Sequence, residues 1–334
     1  MGYIILDTNG RPRIKINLNS EVLFDFDGEV RYWVNTMDVG NYPPYVQVVH
    51  SWFNKSSLSY TGEYMMFGAV ASGARNNNCG TGHWIRDDPS QTSCSAVSST
   101  GQYQLTCATG VGRIFVSNDY GSTFPNSGTT TNMISGLKDC DMSDSGQYQL
   151  VVGLDGRLPD EYFLTSNDYG VTWNTFSSYQ YDSQSCCVSG DGKYQWVFYY
   201  IGGGTYSDDY GATWGGLPGG PATSNDSSIS ETGKYLISTN SSGVHVSNDS
   251  GVTWSNPLNG VYFNCDMSSD GRIMIAGTNT SVYISVDYGI TWVLQTNPLV
   301  IGGTVVGVSG NGEVFLVGAD AGSVLDTLRI GNIR

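Results

Sequence analysis

Apolar and polar residues alternate in short runs along most of this chain, and the runs recur around one fixed turn. The turn reads Ser-x-x-Gly, with glycines at Gly62, Gly101, Gly146, Gly192, Gly233, Gly271 and Gly312 and a serine three residues before each. The residue before each serine is apolar: Leu58, Val97, Met142, Val188, Ile229, Met267 and Val308. Two residues after each glycine stand Tyr64, Tyr103, Tyr148, Tyr194, Tyr235, Ile273 and Val314. A period of two on both sides of a tight turn predicts two strands of a hairpin. Serine opens such a turn because its hydroxyl bonds nearby backbone, and glycine closes it because it accepts positive φ.

A second repeat lies downstream of the first six turns. It reads Ser117-Asn118-Asp119-Tyr120-Gly121-Ser122-Thr123-Phe124 in its first full copy. Further copies centre on Asp168, Asp209, Asp249 and Asp287 and end in Thr-Trp, and a worn copy spans Arg86–Thr92. The run before each Asp, such as Ile114–Val116, predicts a third strand, and the Thr-Trp opens a fourth. Each unit is then a four-stranded antiparallel meander. The seven units, numbered here by their Ser-x-x-Gly turns, recur about every 42 residues, the spacing of a propeller blade. The fold predicted is all-β: a seven-bladed β-propeller over residues 29–334, with residues 1–28 as an N-terminal β-hairpin appendage built on Tyr3–Leu6, Asn9-Gly10 and Arg13–Leu18. The seventh unit has strands expected at Val314–Gly318 and Ser323–Leu328 and then ends. The segment Glu29–Val34, with Trp33, is expected to supply its fourth strand and close the ring.

Composition narrows the function. Charged residues are 13% of the 334 residues, Gly is 44, and 30 acids against 15 bases give a net charge of −15. That acidity argues against nucleic acid and against anionic lipid as partners. No apolar run approaches a membrane span, and Met1–Asp7 lacks the basic and apolar regions of a secretory leader. Seven cysteines at irregular spacing, with no CxxC pair, suggest neither a disulfide framework nor a zinc ribbon. Ser56, Ser95, Cys140, Cys186, Ser227 and Cys265 share one repeat position on the innermost strand, where blades crowd and small side chains fit.

The Ser-x-Asp-x-Gly-x-Thr-Trp element resembles the Asp box of the sialidase-like, BNR-repeat β-propellers, over roughly residues 50–328. Paired with Ser-x-x-Gly-x-Tyr, it looks most like repeats in viral and phage-tail structural proteins. The resemblance implies structural boxes, with Asp119, Asp168, Asp209, Asp249 and Asp287 accepting amide bonds inside compact turns. A sialidase resemblance would also imply three convergent arginines, an acid Asp and a Tyr–Glu pair. The arginines between residues 50 and 328 are Arg75, Arg86, Arg113, Arg157 and Arg272, and the family's Arg-Ile-Pro element is absent. No acid pair with glycosidase spacing declares itself, and the three histidines suggest no metal site.

Binding is therefore expected on the rim opposite the boxes, where loops are longest and most varied. The candidate ligand-binding residues are Arg75, Asn77, Arg157, Tyr181, Tyr200 and Tyr262, since aromatic faces beside amides and cations suit a sugar. The box rim is expected to carry few protruding side chains. Asp139, Asp141, Asp226 and Asp266, near the tunnel mouth, read as solvated acids, with Ca²⁺ as the one cofactor they would suit. The function expected is non-catalytic attachment on a virion or phage-tail surface, made in a host cytoplasm, binding a glycan or protein receptor. The N-terminal segment, with Arg13 and Lys15, would meet a virion or tail scaffold, and several copies would be displayed together. A sialidase-like glycoside hydrolase and an intracellular assembly scaffold are the alternatives.

Overall fold

The computed structural model describes residues 3–6, 12–15, 33–35, 53–69, 74–76, 85–86, 92–108, 112–125, 136–154, 162–177, 183–295, 305–319 and 327–332. The described residues are all-β, without a helix. Unit 3 shows the plan: Gly136–Met142, Gln149–Leu154, Tyr162–Ser166 and Asn174–Ser177 pair in that order, each antiparallel to the next. Units 4, 5 and 6 repeat it, beginning at Ser183–Val188, Asp226–Ile229 and Asn264–Met267. Unit 1 has four strands and unit 2 three among the described residues, and a single bridge from Ala69 to Thr92 joins them into one seven-stranded sheet.

In unit 7, Val305–Val308, Val314–Ala319 and Thr327–Asn332 are followed in the sheet by Trp33–Asn35. The N-terminal segment thus supplies the fourth strand, with Trp33 opposite Gly331. The third strand, Thr327–Asn332, ends four residues beyond the Leu328 expected, and residues 323–326 lie outside the described residues. The hairpin appendage pairs Tyr3–Leu6 with Pro12–Lys15, so its second strand starts one residue earlier than the pattern suggested.

The Ser-x-x-Gly turn is held from two sides. Each glycine N–H donates to the serine carbonyl three residues back at 2.8–2.9 Å. Each serine Oγ accepts the N–H five residues on, as in Tyr64 to Ser59 at 3.1 Å and Val314 to Ser309 at 2.9 Å. Glycine is required twice over at Gly192. Its φ is +80°, and an added Cβ would lie 2.1 Å from the Tyr148 ring of the preceding unit. The repeated tyrosine two residues after each glycine is thereby explained, because it packs on the next unit's turn. The residue after each serine also links units through its backbone. Tyr60 N–H donates to Ser99 O, Ser99 to Asp144, Asp144 to Gly190, Glu231 to Ser269 and Ser269 to Gly310, all at 2.8–2.9 Å.

Each first strand packs against the first strand of the following unit, and Val305–Val308 packs against Phe53–Leu58. Asn311 N–H donates to Tyr60 O at 2.8 Å and Ser56 Oγ to Val306 O at 2.9 Å, both between units 7 and 1. The hydrophobic core is divided accordingly into layers between successive units. Leu105, Ile114, Leu137 and Val151 fill the layer between units 2 and 3, and Ile275, Ile284, Val306 and Phe315 that between units 6 and 7. Burial of such side chains drives folding at roughly 25 cal/mol per Å². Those layers hold the first strands, and their inward residues, together at the centre.

Candidate functional site

Three features are candidates: the central cavity, the Asp turns with the clefts beside them, and the opposite rim. The central cavity, of about 110 Å³, is lined by first-strand residues including Lys55, Ser57, Ser95, Asp141, Ser228 and Asp266. Its chemistry is set by one lysine. Lys55 Nζ meets both oxygens of Asp139 at 2.8 and 2.9 Å and Asp226 Oδ1 at 3.4 Å. Lys55, Asp139 and Asp226 occupy the same repeat position in units 1, 3 and 5, seven residues before the turn glycine.

These acids are not solvated, contrary to the expectation from sequence. Asp139 and Asp226 are each 3% exposed. Asp139 accepts amide bonds from Cys140 and, across units, from Cys186 at 2.8 and 2.9 Å. Asp226 accepts from Ser227 and from Cys265 of the next unit, at 2.9 and 3.0 Å. Asp141 bonds Val188 N–H and Asp266 bonds Val308 N–H, again in the following unit, at 2.8 and 2.9 Å. Each carboxylate therefore staples two units. Lys55 stands where a bound cation would need Asp139 and Asp226.

Burial works to lower the Lys55 pKa, but the fields of Asp139 and Asp226 outweigh it and raise the value well above the ordinary one. Burial pushes Asp139 upward against the pull of Lys55. The two short Lys55 contacts and two amide donors make the charged pair the form that fits this geometry. Burial also pushes Asp266 up to about 7 and Asp141 up to about 6, against amide donors that favour the charged form.

The Asp turns have the opposite character. In all five, one carboxylate oxygen accepts the serine hydroxyl two residues back and the threonine N–H four residues on, while the other accepts the threonine hydroxyl. At Asp119 these bonds measure 2.7, 2.9 and 2.7 Å, and bonding led by the Thr123 N–H pulls its pKa down to about 2. The Thr213 hydroxyl leads the same effect at Asp209, also to about 2. The Trp173, Trp214, Trp254 and Trp292 indole N–H groups close the turns onto the glycine carbonyls at 2.9–3.1 Å.

The Asp turns bond back to their own unit's Ser-x-x-Gly turn, as Tyr169 N–H to Gln147 O at 3.1 Å, so the two motifs share a rim. This rim is not bare, which corrects the sequence reading. The residue after each Asp adopts positive φ, +57° to +63°, whether Tyr or Ser. Tyr120, Tyr169 and Tyr210 are exposed there, and Val171, Val252 and Ile290 protrude beyond them at 60–72% exposure. Tyr120, Tyr169, Tyr210 and Tyr288 lie over Tyr64, Tyr103, Tyr148 and Tyr235 of the preceding units at 4.7–5.4 Å. The sequence carried this signal as a fixed Asp-Tyr-Gly whose tyrosine had no stated role.

On the opposite rim Tyr200 is 56% exposed beside Ile201, so it can present a face to a ligand. Tyr262 cannot. It is 4% exposed, its ring packs edge-on against Tyr283 at 5.9 Å, and its phenol pKa is raised to about 12 by burial. Arg75 falls in the strand Ala74–Asn76. Asn77, Arg157 and Tyr181 lie outside the described residues, so no common site for the six candidates is drawn.

One cluster was not anticipated. The Sγ atoms of Cys94, Cys107 and Cys140 lie within 4.8 Å of one another. They come from two neighbouring units at spacings of 13 and 33 residues, which no local motif reveals. Burial pushes the Cys107 and Cys140 thiols well above the ordinary value, so they keep their protons rather than offer thiolate ligands. No protein-family model matches the chain, and no curated protein is detectably similar to it in sequence.

Proposed function

We propose that this protein is a non-catalytic binding module whose seven units form a seven-bladed propeller. The contacts from unit 7 to unit 1, through Ser56, Tyr60 and Asn311, support a closed ring, and the strand Trp33–Asn35 protects what would otherwise be an open sheet edge. On this reading a chain lacking residues 1–40 exposes that edge and aggregates in light scattering. A soluble monomer of undiminished stability contradicts it.

The observation that carries the binding reading is the commitment of nine carboxylates among the described residues. The five Asp-turn acids are saturated within their turns, and Asp139, Asp141, Asp226 and Asp266 are held by amides of neighbouring units. General acid–base work needs a carboxyl within reach of a substrate and free to exchange its proton. Tyr120, Tyr169, Tyr210, Val171, Val252 and Ile290 face outward on one rim, and Tyr200 and Ile201 on the other. The partner class is a glycan or a protein receptor, and attachment at the surface of a virion or phage tail suits a scaffold with repeated, shallow sites. Weak single sites gain strength when several copies act together. The resemblance to Asp-box propellers is consistent with this role.

The test measures attachment of the purified chain to oligosaccharide arrays and to cells, beside hydrolysis of a fluorogenic sialoside. The reading expects attachment without turnover. Turnover above background would replace it with the hydrolase alternative.

A further inference from the structure

We propose that the cleft between units 3 and 4, beside the Asp209 turn, binds a neutral saccharide. Tyr148, Phe176 and Tyr210 supply its apolar faces, and Thr165, Asn167 and Asn174 its hydrogen-bonding groups. This deepens the binding reading above and rests on it.

The cleft lies at a join where the preceding unit sends no side chain against the Asp-turn glycine. Three residues before each Asp, the third strand carries Val116, Thr165, Tyr206, Val246 and Ile284 in units 2 to 6. Where the residue is valine it fills the space against the next unit's turn glycine. A Cβ added at Gly170 would lie 2.7 Å from Val116, and one at Gly289 would lie 2.9 Å from Val246. Between units 4 and 5 the Trp196 ring fills it, 2.1 Å from a Cβ at Gly251. At Gly211 the nearest atoms all belong to Gln195 of its own unit, at 3.0–3.3 Å. The space facing Thr165 is left as a cleft of about 480 Å³, within the range of small-ligand sites.

Its lining selects the ligand. The Tyr148 and Tyr210 rings lie 5.1 Å apart and tilted by 35°, and half-buried Phe176 packs on Phe163 and Trp214 behind. Aromatic faces suit the C–H faces of a pyranose, and exposed Asn167 and Asn174 offer both donors and acceptors to its hydroxyls. Among the described residues, no lysine or arginine lines the cleft. Its one carboxylate, Asp209, is committed to Ser207 and Thr213 at 2.6–2.8 Å. An anionic sugar would find no cation there, on a chain of net charge −15. A sialoside is thus disfavoured and a neutral sugar is not.

Two substitutions copy residues that other units already carry, so the fold should tolerate them. Thr165→Val reproduces Val116 and Val246 and removes the hydroxyl that the third strand offers to a sugar. Tyr210→Ser reproduces Ser250, which holds the same positive φ, +57°. The full chain and both variants are applied to an array of neutral and sialylated oligosaccharides, and bound sugars are confirmed by saturation-transfer NMR. The proposal expects binding of neutral oligosaccharides, weakened at least tenfold by either change, at unchanged melting temperature. If both variants bind like the parent, the cleft is not the site. If in addition Tyr200→Ala abolishes binding, the opposite rim carries it and the binding reading stands. If the parent binds only sialylated sugars, or no sugar while still attaching to cells, the saccharide cleft alone is overturned.

Discussion

Aspartate does two different jobs in the two halves of each unit. On the rim, Asp119, Asp168, Asp209, Asp249 and Asp287 each close a turn of a few residues, with every bond local in sequence. At the centre, Asp139, Asp141, Asp226 and Asp266 bond amides 38–47 residues away, in the next unit. The rim acids are shifted down by the hydrogen bonds of their own turns. Asp141 and Asp266, half-buried against the central cavity, are shifted up by burial. The contrast separates local folding from assembly. A turn needs only its own residues, whereas a staple needs the neighbouring unit in place and costs desolvation that a counter-charge must offset.

The sharpest way to break the contrast is to remove that counter-charge. Lys55→Met should leave Asp139 and Asp226 buried without their cation and cost about 3–5 kcal/mol near pH 8. The loss should shrink near pH 5, where a stranded Asp139, pushed upward by burial, can take up a proton. Urea unfolding at both pH values checks this, and a small or pH-independent loss would show that the amides alone hold these acids.

A second effect follows from the raised values. Asp266 and Asp141 titrate near 7 and 6 in the folded protein, above their unfolded values near 4. Between those limits the folded state holds more protons than the unfolded one, so stability is full below about pH 4 and falls as pH rises towards 7. Allowing for partial exposure to the cavity, Asp266 contributes on the order of 2 kcal/mol of that fall. Asp266→Asn should flatten the slope. The depressed rim acids work in reverse: their contribution is present above about pH 4 and is lost as pH drops towards 2. An unchanged slope in Asp266→Asn would place the proton uptake elsewhere.

The smallest effect belongs to a single rim turn. Asp168→Ala removes an acceptor from Thr172 and Ser166 and should cost about 1 kcal/mol, because the freed donors can turn to water. Its pH profile above pH 4 should match that of the parent. A loss as large as that of Lys55→Met would mean that the rim turns also govern assembly.

The sequence made the rim more legible than the centre, for a physical reason. Ser-x-x-Gly and the Asp turn are closed by residues a few positions apart, so their chemistry appears as a motif. The missing fourth strand of unit 7 was legible because a meander short of a strand leaves an edge. The end of its third strand was placed four residues early because unit 7 lacks the Asp motif that marks where that strand ends. The central staples span whole units, so no local spacing records them. Their one trace was Lys55, a lone cation at the repeat position that carries Asp139 and Asp226, and it was overlooked. Tyr262 was read as a loop aromatic because it lies in the link between units 5 and 6, but Tyr283 and the layer between those units bury it.

Carboxyl ¹³C NMR of selectively aspartate-labelled protein, titrated from pH 2 to 8, reads both populations in one experiment. The account predicts that Asp119 and Asp209 titrate near 2 and that Asp141 and Asp266 titrate near 6 and 7. A single cluster near the ordinary value of about 4 for all of them would contradict it.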